Sequence, residues 1–448
     1  MEISKKNNYR EQLSKVWKLS IPAILTQIAT IVMQYIDSAM VGRLGEDASA
    51  SIGLVTTTTW LLSGLLTAAS MGFAVQIAHS FGANDISSGR KILRHGLIFS
   101  LLFSVLIMII GVVVTNPLPI WLGAEEKIWK DASIYFFVFC VTIPFQQLSS
   151  LTASSLQCGG NMVIPSVLNA LMCLLDVVFN AIFIPKYQVL GAAIGTALAG
   201  IITSLIMFYL CCFKNEKLNL RIKDNTKYDG KIIKKAIKIG FPIAFDQIAR
   251  SGAMIVTTRI IAPLGSVSIA SNSFADTAES LCYMPAYGIS SAATTLVGQE
   301  MGAGNNKKAK SYGNMSIIFG VSVMTIMTIL MFIFCPFVFM VLTPVKDVRV
   351  LSAKVLRIGL LAEPLYGLSV IATGALRGAE DTLVPSILNL LSIWLIRISL
   401  CLLFVLHFDL GLVGVWMANA IELSIRGIIL LIRHCTSKFY FKKIEKNT

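Results

Sequence analysis

The chain has 448 residues, of which 55% are hydrophobic and 14% charged, with a mean hydropathy of +0.74. Soluble globular domains carry close to a quarter of charged residues, so the composition excludes them and points to an all-α, multi-pass integral membrane protein. The formal charge of +14 and the pI near 9.4 fit basic residues gathered in cytoplasmic loops, and no nucleic-acid partner is expected.

At about 20 residues per crossing, twelve spans are expected in two sets of six. The first set runs 19–43, 52–78, 93–115, 132–156, 164–185 and 191–212. Leu19 to Gly45 opens it as LSIPAILTQIATIVMQYIDSAMVGRLG, an apolar stretch interrupted by Pro22, Gln27, Gln34 and Asp37. Basic residues precede this run as in a signal peptide. The run is too long and too polar for one, and it leads into a second span, so it reads as a retained helix. A carboxylate at membrane depth costs about 2.5–3.5 kcal/mol on insertion scales and is kept mainly where it faces a bundle interior or a wet cavity. Met33, Gln34 and Met40 flank Asp37, a pattern shared by adaptable binding surfaces and ordinary packing. His79 and His95 stand beside cytoplasmic helix ends, where surface or capping roles are expected. In the fifth span, D-V-V-F-N places Asn180 near the level of Asp37 and Asp176 one turn deeper. Two carboxylates with amide and hydroxyl oxygens suit Na⁺ or a proton equally. In the sixth span, Gly191 and Gly195 form a G-x-x-x-G that lets helices approach closely.

Lys214 to Lys238 is the longest polar segment. It divides an N-lobe, 1–213, from a C-lobe, 239–448, with 214–238 as a cytoplasmic linker. The second set of spans runs 240–264, 270–299, 311–342, 351–375, 383–405 and 411–433. It repeats the first at an offset of 220: Pro22 falls on Pro242, Gln27 on Gln247, Gly82-Ala83 on Gly302-Ala303, Pro165-Ser166 on Pro385-Ser386 and Gly191 on Gly411. Asp37 falls on Thr257, so the acid does not repeat. An even number of spans per repeat inserts both copies the same way round, with a pseudo-twofold axis along the membrane normal and a substrate site near the midplane. Arg250, Asp276, Glu279 and Glu363 either line a C-lobe cavity, together with Gln247, or pair among themselves. Arg397, Glu422 and Arg426 read as a buried ionic staple.

Placing the N-terminus inside assigns 26 Lys and Arg to cytoplasmic segments and 7 to the opposite loops, so both termini are expected in the cytoplasm of a cell (inner or plasma) membrane protein. The nine cysteines include no CxxC pair and read as small helix residues. G-A-G-N-N-K at 302–307 lacks the phosphate-loop spacing, and no HExxH, nucleophile elbow or zinc spacing occurs, so neither an enzyme nor a cofactor is expected.

The opening PxxxxQ with D-S-A-M-V-G-R-L-G, the A-H-S-F-G-A-N-D and V-G-Q-E-M-G-A-G-N segments, and L-R-G-A-E-D-T at 376–382 resemble the MATE family of multidrug and toxic compound extrusion transporters across nearly the whole chain. The resemblance implies two six-helix lobes, a central cavity, and export of bulky, often cationic, organic compounds in exchange for H⁺ or Na⁺, with a monomer as the family default. Asp37, fifteen residues after Pro22, resembles the DinF-like branch, which also implies bending of helix 1 near Pro22. The family's N-lobe cation site, an Asn and an Asp in helix 5 with a helix 6 threonine, maps onto Asp176, Asn180 and Thr196, with the acid and amide in reversed order. The NorM-like branch's acids in helices 7 and 10 map onto Arg250 and Tyr366, a departure that argues for coupling in the first lobe, with Glu279 and Glu363 as the alternative acids in the second. The rival reading is a lipid-linked oligosaccharide flippase of the same superfamily, which implies a more basic central cavity.

Overall fold

The computed structural model describes residues 2–220 and 228–440. The basic residues at 221–227 in the expected linker, and those beyond 440 in the C-terminal tail, lie outside the described residues. Every regular element described is helical. The helices are α1 (Glu2–Gly42), α2 (Glu46–Gly82), α3 (Ile86–Val114), the short α4 (Leu118–Trp121), α5 (Glu126–Cys158), α6 (Val163–Tyr209) and α7 (Gly230–Ile261). They continue with α8 (Ser266–Gly302), α9 (Asn306–Leu342), α10 (Lys346–Leu360), α11 (Glu363–Gly378), α12 (Leu383–Leu391), α13 (Ile398–Leu402) and α14 (Gly411–Thr436).

Among the described residues, eight helices are long and apolar enough to cross a membrane, or nine if α10 and α11, bent by 51°, form one crossing. The twelve expected spans differ from this for two physical reasons. First, α6 runs for 47 residues but breaks at Gln188, whose φ is 51°, a backbone region that non-glycine residues seldom enter. A Cβ at Gly191 would collide with the Phe183 carbonyl, and one at Gly195 with Asn180. The chain therefore folds back on itself at the break, between the expected fifth and sixth spans. Second, α7 and α8 have the length to cross, 32 and 37 residues, but α7 carries Lys231, Lys234, Lys235, Lys238, Asp246, Arg250 and Arg259, and α8 is rich in serine and threonine.

The compact units are Ile28–Ala244, and Met1–Gln27 together with Phe245–Thr448. Their borders fall within α1 and α7, unlike the lobes 1–213 and 239–448 read from the polar linker. Apolar packing accounts for the difference. In the unit that contains the C-terminal half of the chain, Val16 of α1 is buried with Ala286, Ile289 and Ala293 of α8. Gly288 lets the α1 backbone at Ala23 and Ile24 lie directly on α8, and Ser311 donates to Gln12 at 2.7 Å.

In the unit Ile28–Ala244, the start of α7 is seated in the corresponding way. Ile239 and Ile243 pack with Ala68 and Val75 of α2, and Gly72 lies against the Ala236 carbonyl. Lys91 pairs with Asp229 at 2.9 Å. His95 Nε2 accepts the Asp229 N–H at 3.0 Å, which is the capping role expected of it. The Lys91 ammonium holds the Asp229 carboxyl below its usual range. That contribution is complete above the unfolded pKa of about 3.9 and is lost as the pH falls through the lower folded value.

Close approach at Gly288 leads to a prediction. Gly288→Leu should destabilise the protein by about 1–3 kcal/mol through overpacking, whereas Gly53→Leu, where nothing lies within 4 Å, should stay within about 0.5 kcal/mol of wild type. Thermal unfolding of both variants in detergent checks this.

Candidate functional site

In the unit Ile28–Ala244, the second half of α1 and the first arm of α6 bring Asp37, Asp176 and Asn180 together. The Asn180 Nδ2 donates to Asp37 Oδ1 at 3.0 Å and to Asp176 Oδ2 at 3.1 Å. One amide nitrogen thus uses both hydrogens on two carboxyl groups. The Asp37 and Asp176 carboxyls are also within hydrogen-bond reach of each other. Asp176 and Asn180 are buried, at 0% and 1% exposure, while Asp37 is half-buried. Asp176 Oδ1 and Asn180 Oδ1 are buried without a hydrogen-bond partner, which leaves two oxygens free to accept a proton donor or to ligate a hard cation.

Local sequence explains why the cluster forms. Asp176 and Asn180 are four residues apart on one helix and so share a face. The glycine at 195 lets the returning arm of α6 close over the amide. Thr196, adjacent to that glycine, is half-buried and makes no hydrogen bond to the three. Deeper in the same helix pair, Asn169 donates to Thr30 Oγ1 at 3.0 Å. Met33 is half-buried and Gln34 exposed, neither of them hydrogen-bonded to the cluster. Pro22 lies within α1, which continues through it, and the Thr26 hydroxyl donates to the Pro22 carbonyl at 3.0 Å.

Sequence reasoning missed Tyr135. It packs with Val41, Ile184, Val189 and Ala192 and lies within electrostatic reach of both carboxyls. Only the packing of α5 reveals it, because nothing in its neighbourhood marks it out.

In the other unit, Arg250 Nε pairs with Asp246 Oδ2 at 3.0 Å. Asp246 went unnoticed in the sequence, although an acid four residues before an arginine inside an apolar run is a readable signal. Gln247 is half-buried beside it. Glu279 and Glu363 are within hydrogen-bond reach of each other, and neither oxygen of Glu363 meets a donor. Asp276 accepts from Asn272 at 2.7 Å. The staple forms: Glu422 holds Arg397 at 2.6 Å and Arg426 at 3.2 Å and accepts from Ser392 at 2.6 Å. Among the described residues, no group of three or more His, Cys, Asp or Glu could hold a metal ion.

A duplicated helical membrane protein with acid clusters inside its spans belongs to the class of secondary transporters. The MatE family model matches residues 22–182 and 242–403, in register with the internal repeat, and the chain is a member of the MatE family. It is similar to the probable multidrug resistance protein NorM of Thermotoga maritima, 26% identical over 430 residues, with 94% of this chain and 92% of that protein covered. It also resembles the probable multidrug resistance protein YoeA of Bacillus subtilis, 22% identical over 460 residues, with 99% and 98% covered. Two solved structures share the fold. One is a MOP superfamily transporter from Pyrococcus furiosus, with a TM-score of 0.91, 22% identity and 96% of each chain covered. The other is a multidrug resistance MATE transporter in an outward-facing conformation, with a TM-score of 0.90, 22% identity and 95% of each chain covered. The chain is a transporter and not an enzyme.

Two outcomes follow from this geometry. Gly195→Val should displace the Asn180 side chain and abolish transport while the protein still inserts, as read by efflux assays beside membrane-fraction blots. Glu422→Gln should cost about 3–5 kcal/mol by leaving two guanidiniums without their carboxylate, as read by thermal unfolding in detergent.

Proposed function

We propose that the chain is a secondary active multidrug efflux antiporter that exports bulky organic compounds in exchange for H⁺ or Na⁺. The observation that carries the reading is the single Asn180 amide clamped between two carboxyl groups inside the membrane span. Two carboxyl groups facing each other do not both stay ionised alone: one keeps a proton, or a cation compensates the pair. The buried, unpartnered oxygens of Asp176 and Asn180 supply the remaining ligands, and Thr196, one residue past Gly195, is the candidate fourth. A proton on Asp37 turns one of its oxygens into a donor towards Asp176 while the other still accepts from Asn180; Na⁺ takes the same oxygens directly.

The coupled movement is a bend of helix 1 at Pro22. Supporting it, α1 changes from one compact unit to the other between Gln27 and Ile28, just after this proline, and α7 does so between Ala244 and Phe245, just after Pro242. The twelve-span topology follows if the two arms of α6, the bent pair α10–α11, and the charged helices α7 and α8 each cross the membrane. Both termini are then cytoplasmic in a cell membrane, and the working unit is a monomer. Met33, Gln34, Gln247, Arg250, Glu279 and Glu363 are the proposed cavity positions. The acid in helix 1 favours a DinF-like coupling arrangement, although relatives carry the NorM name. One charge crossing 100 mV yields about 2.3 kcal/mol, enough for a roughly fifty-fold gradient of a neutral solute.

Asp37→Asn tests the reading. Purified protein in proteoliposomes under separately imposed pH and sodium gradients should lose gradient-driven efflux, and cells carrying the variant should lose drug resistance with membrane insertion intact. Efflux that still follows the gradient in Asp37→Asn overturns the coupling role. The gradient that drives the wild type names the ion.

A further inference from the structure

The opening turns of α7 have two unlike faces. On one, Ile232 and Ala236 pack with Met207 of α6 and with Cys211 and Cys212 just beyond it, while Ile239 and Ile243 pack with Ala68 and Val75 of α2. A Cβ at Gly240 would come within 2.8 Å of the Ala68 carbonyl, so this side is closed. Lys231, Lys234, Lys238 and Phe241 follow one another in steps of three and four residues on the opposite side, and all four are exposed. Phe241 is 67% exposed, Ile237 at the edge of the stripe 48%, and Tyr228, just before the helix, 77%.

The three lysines are the part of this surface that the fold leaves unused. Other basic groups of the unit Ile28–Ala244 are taken up by the protein itself: Arg90 donates to the carbonyls of Glu216 and Lys217 at 2.9 and 3.0 Å, Lys91 pairs with Asp229 at 2.9 Å, and the Lys217 ammonium lies over the Phe81 ring. Asp229, the carboxylate beside the start of α7, already holds Lys91 and accepts the Lys231 N–H at 3.1 Å. Among the described residues, the ammonium groups of Lys231, Lys234 and Lys238 make no hydrogen bond and no ion pair. Lys234 and Lys238 are four residues apart, a like-charge spacing that destabilises a helix unless an anion lies between. Phe241 comes three residues after Lys238, about 4.5 Å further along the axis, so a positive end passes directly into an apolar one. That order is the complement of a lipid with a negative headgroup above its acyl chains.

We propose that this face of α7 binds an anionic phospholipid, with Lys231, Lys234 and Lys238 on the headgroup phosphate and Ile237 and Phe241 against the acyl chains. The inference goes beyond the exporter reading and takes from it only that α7 crosses the membrane. Lysine stems reach along apolar surface while their ammonium groups stay at headgroup level, and Tyr228 sits where interfacial aromatics collect. Charge selects the occupant: a zwitterionic lipid brings its own cation to its phosphate, and a soluble anion leaves Phe241 uncovered. Bound on the open side, the lipid braces the start of α7 against α2.

The test titrates the detergent-purified full chain with dioleoyl phosphatidylglycerol, dioleoyl phosphatidylcholine or inorganic phosphate, read by native mass spectrometry and thermal unfolding. Wild type should bind phosphatidylglycerol roughly a hundredfold more tightly than phosphatidylcholine, at about fivefold per lysine, and its Tm should rise with phosphatidylglycerol. Lys234→Gln should lose about fivefold, and the triple variant Lys231→Gln, Lys234→Gln, Lys238→Gln should bind the two lipids alike. A second triple variant, Lys130→Gln, Lys346→Gln, Lys354→Gln, removes the same charge from exposed lysines elsewhere and should keep the preference. Equal binding of the two lipids by wild type, equal loss in both triple variants, or stabilisation by inorganic phosphate as large as by phosphatidylglycerol overturns the proposal. Labelling of Phe241→Cys in vesicles by a membrane-impermeant maleimide reads the crossing separately. Labelling above the wild-type background removes the α7 crossing and the lipid site with it, whereas an unlabelled cysteine in a chain without lipid preference removes the lipid site alone.

Discussion

A carboxylate inside a membrane must find partners within the protein, because lipid offers none. Asp37 meets this constraint through one amide, that of Asn180, which it shares with Asp176. The sharing sets demands on everything nearby. The amide must be held in place, so the returning arm of α6 comes close enough that position 195 admits only a hydrogen atom. That approach depends in turn on the reversal at Gln188 and on the bare backbone at Gly191. A polar contact worth about 1 kcal/mol net in water thus determines the packing of an entire helical hairpin, since leaving these groups unmatched in a low-dielectric interior is far more costly.

Duplication makes the two halves comparable and their differences informative. The repeat keeps the prolines at Pro22 and Pro242 and the close helix contacts at Ala68 and Gly288, which are 220 positions apart. It does not keep the acid, since Thr257 stands opposite Asp37 and its hydroxyl bonds back to the Ala253 carbonyl of its own helix. The half without that acid carries Arg250, held by Asp246, and Arg397 and Arg426, both held by Glu422. One scaffold used twice sets two carboxyl groups on one amide in the first copy and mixes arginines with the buried Asp246, Glu279, Glu363 and Glu422 in the second.

Much of the site was legible because polar residues in apolar runs are conspicuous. Asp37 stands out for that reason, Asp176 and Asn180 through the family resemblance as well, Arg397 and Glu422 for their similar depth, and Arg426 for lying one turn past Glu422. What escaped were features that depend on packing rather than polarity. Tyr135 is an ordinary aromatic in α5 until its position beside the two carboxyls is known. The unit borders within α1 and α7 were invisible because the polar linker 214–238 marks where the chain is wet. Which apolar face each helix half buries, Val16 with Ala286 or Ile239 with Ala68, is a separate matter.

Those borders bear on how a local charge change could reach the rest of the molecule. The first half of α1 is packed in one compact unit and its second half in the other, with the border between Gln27 and Ile28. Pro22 sits near that division, and it removes one intrahelical hydrogen bond with the Lys18 carbonyl, four residues earlier. In the proposed cycle, neutralising Asp37 acts on the half beyond Ile28, through Asn180 and Asp176. The half before Gln27 remains anchored by Val16 and Gln12 in its own packing. In the proposed cycle the strain therefore concentrates where the backbone is already short of a hydrogen bond, so the proline and the acid act as a mechanical pair fifteen residues apart.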